Sequence, residues 1–207
     1  MRLITVCVLL AGLQICAPSR STAQNPPGRG STKEATVGAF VVSVPVQWTA
    51  FGASEAATFR NGYVAQSKQL YQQFNGSSEG QPQSVGFAAF HIAGDDGAFI
   101  LVSFAVPPQA NLIDLLKSQV KDKMDFGVRQ GYIQKYLGLA PVDDEQLSGF
   151  YTTAIGKDGN MQVAGGLEHK KLKNTVIQLT LLCPKSWDQV RAQATLTAIL
   201  KSVSLRH

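Results

Sequence analysis

Apolar residues along the chain first alternate and then recur every third or fourth position, and that switching divides it into elements. In 37–45, Phe40, Val42 and Val44 fall on one side and Val41 and Ser43 on the other, which predicts a strand ended by Pro45, with Trp48 in a short loop. Residues 54–75 place Phe59, Tyr63, Leu70 and Phe74 near one helical stripe, with Lys68 and several glutamines opposite. Asn75-Gly76 is the expected stop, although Gly62 sits inside the helix. The Ser, Gly, Gln and Pro residues of 76–84 read as an exposed loop. Two apolar runs, 85–92 and 99–106, flank Gly94-Asp95-Asp96-Gly97, so a hairpin is predicted. Its second strand is apolar on both faces, as a strand covered from both sides must be.

The strongest helical pattern lies in 111–129, where Leu112, Leu116, Val120, Met124 and Val128 recur every four residues. Residues 131–140 look extended and lead into the acidic turn Asp143-Asp144-Glu145. The last third reads as a meander. Strands are expected over 149–156, 161–168 and 175–183, with Asp158-Gly159 in the first turn and a basic turn at 169–174. Thr175, Ile177, Leu179, Leu181 and Cys183 share one face of the last strand. Ser186-Trp187-Asp188-Gln189 has the form of a capping box, which opens a helix at 186 that runs to about 202. No internal repeat or second domain is visible.

The start of the chain changes the picture. Met1-Arg2 is followed by an apolar run to Ala17 and then by Ser21-Thr22-Ala23. Small residues at −3 and −1 suit signal peptidase, so 1–23 is expected to be a signal peptide. The run is short for a bilayer span and lacks a stop-transfer flank, so no transmembrane span is expected in the mature chain. Ile15 before Cys16 does not fit a lipoprotein signal. Residues 24–35 are rich in Pro, Gly and polar residues and read as a flexible lead-in to a single domain over 36–207.

Without Arg2 and Arg20 of the leader, 17 Lys and Arg stand against 14 Asp and Glu. That mild excess argues against a nucleic-acid binder. Only Cys183 lies beyond the leader, so no intramolecular disulfide is expected, and the domain must rely on its hydrophobic core.

Phe40-Val41-Val42-Ser43-Val44-Pro45-Val46-Gln47-Trp48 resembles the opening strand of the PsbP-like superfamily, where an aromatic begins a strand that ends in Pro and a Trp follows. The closing strand and helix, 175–205, are similar to that family's last unit. The resemblance implies an α+β fold, an α/β/α sandwich with a central antiparallel sheet flanked by helices. It carries no binding residue across, and fold alone does not give function.

The chemistry-bearing residues are few. His91, His169, Glu168 and Cys183 could furnish a metal site or a general base, but no zinc spacing such as HxxxH, CxxC or HExxH occurs. Cys183 precedes a helix start, which favours a thiolate. Its place on the face of Leu179 and Leu181 favours a small buried hydrophobe instead. Asp95-Asp96 and Asp143-Asp144-Glu145 lack the alternating frame of a calcium loop and suit turns. Lys170, Lys171 and Lys173 crowd one turn, with no acidic residue after Glu168 to offset them, and form the one candidate partner-binding site. The expected function is therefore an exported, non-catalytic protein, periplasmic or secreted. It would bind a protein or envelope component or assist assembly, with no catalytic residue, metal or cofactor assigned. The alternatives are a small-molecule or lipid carrier, with an apolar pocket between the 54–75 helix and the sheet, and a cofactor-free hydrolase using His91 or Cys183.

Overall fold

The computed structural model describes residues 31–75, 83–92, 97–106 and 112–207. The expected leader and the Asp95-Asp96 turn lie outside these residues. The chain is α+β, with three helices and strands that pair antiparallel throughout the described residues. In chain order the elements are β1 (Thr32–Val37), β2 (Phe40–Pro45), β3 (Thr49–Ala50), α1 (Ala53–Asn75), β4 (Gln83–His91), β5 (Ala98–Ala105) and α2 (Leu112–Arg129). There follow β6 (Ile133–Asp143), β7 (Leu147–Gly156), β8 (Met161–His169), β9 (Thr175–Leu182), α3 (Gln189–Ser202) and β10 (Ser204–Leu205).

Seven strands form the main sheet in the order β3-β4-β5-β9-β8-β7-β6, and β1-β2-β10 form a smaller one. The hairpin β4–β5 and the meander β6–β9 follow from the alternation and turn residues of the sequence. β5 is buried along nearly its whole length because both of its faces are covered. Phe99 and Leu101 join a core with Val42, Val44, Trp48, Leu196 and Ile199, which brings in β2 and α3. Ile100, Val102 and Phe104 join a second core with Leu112, Leu116, Val120 and Met124 of α2, and Phe59 and Tyr63 of α1 pack against it.

Three expectations are corrected. The lead-in gives way to β1 at Thr32, so its last residues are a strand paired with β2, Thr32 opposite Pro45. Polar alternation in Thr32-Lys33-Glu34 hid that strand, because its outer side faces water. The turn joining it to β2 rests on β4. A Cβ on Gly86 would stand 2.1 Å from the Gly38 nitrogen, so this crossing needs glycine. At the closing helix, the cap is Asp188 rather than Ser186. The Asp188 carboxylate accepts the Arg191 N–H at 2.7 Å, and the helix begins at Gln189, while 184–187 make a turn. Val128 belongs to the helix but not to its buried stripe; it is exposed at the C-terminal end of α2.

Candidate functional site

The basic turn lies between β8 and β9. His169 ends β8 with its ring buried against Phe40, centroids 5.9 Å apart. The His169 Nδ1 accepts the Lys171 N–H at 3.2 Å, and its carbonyl accepts the Leu172 N–H at 2.9 Å. Asn174 takes the left-handed conformation, φ 59°, that closes the turn, as Asn does more readily than most residues. Burial, followed by the nearby Lys171 ammonium, holds the His169 imidazole below its ordinary pKa, while Asp144 acts in the opposite sense.

The acidic turn between β6 and β7 stands beside it. The Lys170 Nζ meets the Asp143 carboxylate at 2.7 Å, and the Lys170 N–H donates to the Gln146 carbonyl at 2.8 Å. Asp144 folds its own turn: its carboxylate accepts the Leu147 N–H at 2.7 Å and the Gln146 N–H at 2.8 Å. Those backbone donors, Leu147 first, hold its pKa below the usual carboxylate range. The three lysines are therefore not an isolated positive tip. Asp143 pairs with Lys170 and Asp144 lies near it, a meeting across 27 residues for Lys170 and Asp143 that no local reading of the sequence finds.

The other candidates lie apart from this site and from each other. The His91 Nε2 is 3.5 Å from Glu55 Oε2 at the start of α1, and its ring lies 3.7 Å from that of Phe51, in the core of α1 and α2. Cys183 belongs to the α3 core, so the sheet stands between it and His91. Its thiol is buried and pushed up to about 12 by that burial, which opposes the helix-terminus argument for a thiolate. His91, Ala98, Leu182 and Gln162 share one row across the sheet. His169 is seven residues along β8 from that row, roughly 20 Å at strand spacing. Glu168 is raised by burial first and by Asp114 of α2 second. Among the described residues, no three His, Cys, Asp or Glu side chains come together to hold a metal ion.

The space between α1, α2 and the sheet holds a polar network that the sequence reading missed. The Tyr63 hydroxyl donates to Thr180 Oγ1, Gln178 donates to Ser67 Oγ at 3.3 Å, and Gln66 donates to Gln119 at 3.3 Å. Burial pushes the Tyr63 phenol up to about 12, so it stays neutral. The signal lay in β9: Gln178 and Thr180 alternate with Ile177, Leu179 and Leu181, so one face of a buried strand is polar. A cleft opens here, lined by Tyr63, Leu116, Val120, Phe150 and Thr180 among others, with an interior of about 20 Å³. That is room for about one water, against some 300–1,000 Å³ for ordinary ligand sites. No described helix is long and apolar enough to cross a membrane.

No family model and no curated protein matches the sequence. Among solved structures, the chain is similar to the Ran-binding protein Mog1p of Saccharomyces cerevisiae. The identity is 12%, the TM-score is 0.45, and the match covers 85% of this chain and 96% of that one. It is also similar to cyanobacterial PsbP (CyanoP) from Synechocystis sp. PCC 6803, at 12% identity and TM-score 0.47, over 89% of this chain and 98% of that one.

Proposed function

We propose that this is an exported, non-catalytic protein, periplasmic or secreted, which binds a partner or assists assembly in the cell envelope. In this reading it is one domain of the PsbP-like superfamily, which takes in β1 and so runs over 32–207, built as an α/β/α sandwich. The leader pattern of 1–23 supports export. The strand–Pro–Trp opening and the two cores sharing β5 support the sandwich.

One observation carries the binding role: the junction of the 143–146 and 169–174 turns. A backbone bond and an ion pair tie Lys170 to the acidic turn, while Lys171 and Lys173 are exposed on the same basic turn. A turn whose backbone is held in place lowers the ordering cost of association, and charges of both signs at one end of the sheet select a complementary partner. Carboxylates at the same end of the sheet, Asp143 on Lys170 and Asp144 near it, disfavour a polyanion such as nucleic acid or an acidic lipid surface. The partner is thus a protein with its own mixed charges. The Cys183 form of the hydrolase reading loses support because burial keeps that thiol protonated.

The test has two parts. N-terminal sequencing of the exported product should begin at or near Gln24; a lipid-modified Cys16 would refute cleavage after Ala23, and a retained Met1 on the whole protein would refute export. Replacing Lys170, Lys171 and Lys173 together by Ser should weaken partner recovery from an extract of the native envelope at low salt. Recovery by the unmutated protein should also fall as salt rises. Equal recovery by both proteins at low salt would return the turn to an ordinary solvated tip.

A further inference from the structure

The buried imidazole under the basic turn is a titratable group that accepts a backbone hydrogen bond, and that pairing works in only one protonation state. Neutral His169 offers the Nδ1 lone pair to the Lys171 N–H at 3.2 Å. An imidazolium carries a proton on both ring nitrogens and has no lone pair left to accept with. The ring cannot easily turn aside, because it is 4% exposed and packed on Phe40.

We propose that His169 is an acid-sensitive latch on the 169–174 turn: protonation removes the acceptor for the Lys171 N–H, loosens the turn, and changes how Lys171 and Lys173 are presented to a partner. The inference rests on the binding role assigned to this turn above. Burial first, and then the charged groups around the ring, set the direction. On its own turn, which also carries Lys170 and Lys173, Lys171 opposes protonation. From the β6–β7 turn, which also carries Glu145, Asp143 is engaged by Lys170, while Asp144 favours protonation. From the C-terminal strand come Arg206, whose N–H donates to Ala39 next to Phe40, and its neighbour His207. Burial and Lys171 together outweigh Asp144, so the latch holds at neutral pH and opens below the ordinary histidine range.

The consequence is selective. Lys170 keeps its N–H on Gln146 and its ammonium on Asp143, because neither bond involves the imidazole. The acidic turn also stays formed while Asp144 remains ionised. Acid therefore frees the Lys171 N–H and loosens the outer part of the turn, while Lys170 stays anchored and the Leu172 N–H stays on the His169 carbonyl.

The test follows the ring and the amide in the same sample of the mature protein, by 15N NMR from pH 7.5 to 4.5. The His169 ring nitrogens report protonation, and hydrogen exchange reports the protection factor of the Lys171 amide, which removes the intrinsic pH dependence of exchange. Protection should fall at least about fivefold along the His169 titration, the equivalent of one hydrogen bond. Protection of the Lys170 amide should hold. A Lys171 amide indifferent to the titration overturns the latch, and this arm needs no variant and no partner. His169→Asn, whose amide oxygen can still accept, should keep Lys171 protected at low pH; loss of protection at the same pH as in the unmutated protein would count against the latch. Partner recovery is measured separately on the Lys→Ser triple variant. If that variant binds as the unmutated protein does while the Lys171 amide tracks His169, the binding role fails and the latch stands.

Discussion

Replacing Phe104 by Ala tests the central strand more sharply than any other single change. Phe104 is fully buried in β5, opposite Ser84 of β4 and Val176 of β9, in the core shared with Leu112, Leu116 and Val120. A buried aromatic side chain removes about 150–250 Å² from water. At about 25 cal/mol per Å² the whole side chain is worth roughly 4–6 kcal/mol. Alanine keeps the Cβ, which lowers the loss, and incomplete collapse around the vacated space raises it again. The expected cost is therefore about 3–5 kcal/mol, a large part of the roughly 5–15 kcal/mol that holds a domain folded. Urea unfolding followed by circular dichroism measures it as a lower midpoint at unchanged slope. Val190→Ala is the control: at 75% exposure it should fall within about 0.5 kcal/mol of the unmutated protein. A loss below about 1 kcal/mol for Phe104→Ala would refute the placement: both faces of β5 are covered, so only a Phe104 outside either core could be truncated so cheaply.

Other outcomes follow from the same geometry. Cys183 should label with a thiol reagent at pH 8 at least about 100-fold more slowly in the native protein than in denaturant, because its thiol is buried and stays protonated to about 12. Tyr63→Phe should cost about 1–3 kcal/mol by leaving the Thr180 hydroxyl without its donor. The pair Tyr63→Phe with Thr180→Val should cost less than the sum of the single changes in chemical denaturation, and strict additivity would argue against the bond. His169 binds its proton less readily folded than unfolded. Its contribution to stability is therefore complete above about pH 6.5 and is lost as pH falls from there to the folded pKa. His169→Asn should flatten the thermal stability profile in that window, and an unaltered slope would assign the acid sensitivity to another group.

Much of the fold was legible because burial left a period in the sequence. The four-residue recurrence of Leu112, Leu116, Val120 and Met124 gave α2, and the doubly apolar run from Phe99 to Phe104 gave a strand covered on both faces. What escaped was structure made without an apolar period. β1 alternates Thr, Lys, Glu and Ala, and β10 is two residues long; both are strands because β2 supplies their partners. The cap of α3 could be read at Ser186 or Asp188, since both residue types accept from a helix N-terminus, and the turn at 184–187 decides for Asp188. At the candidate site the lysines were visible as a local cluster. Their acidic counterpart was not, because Asp143 and Lys170 meet only when β7 and β8 bring the two turns to one end of the sheet.

The central claim, that the junction of the two charged turns meets a protein partner, is tested most directly by a photo-cross-linking residue placed at position 173 in the producing cell, with position 201 as reference. Both positions are exposed lysines, one in the turn and the other near the end of α3. A discrete adduct from position 173 is predicted, abolished when Lys170 and Lys171 are replaced by Ser and absent from position 201. Adducts of equal yield from both positions, or an adduct at 173 that survives the two substitutions, would contradict the claim.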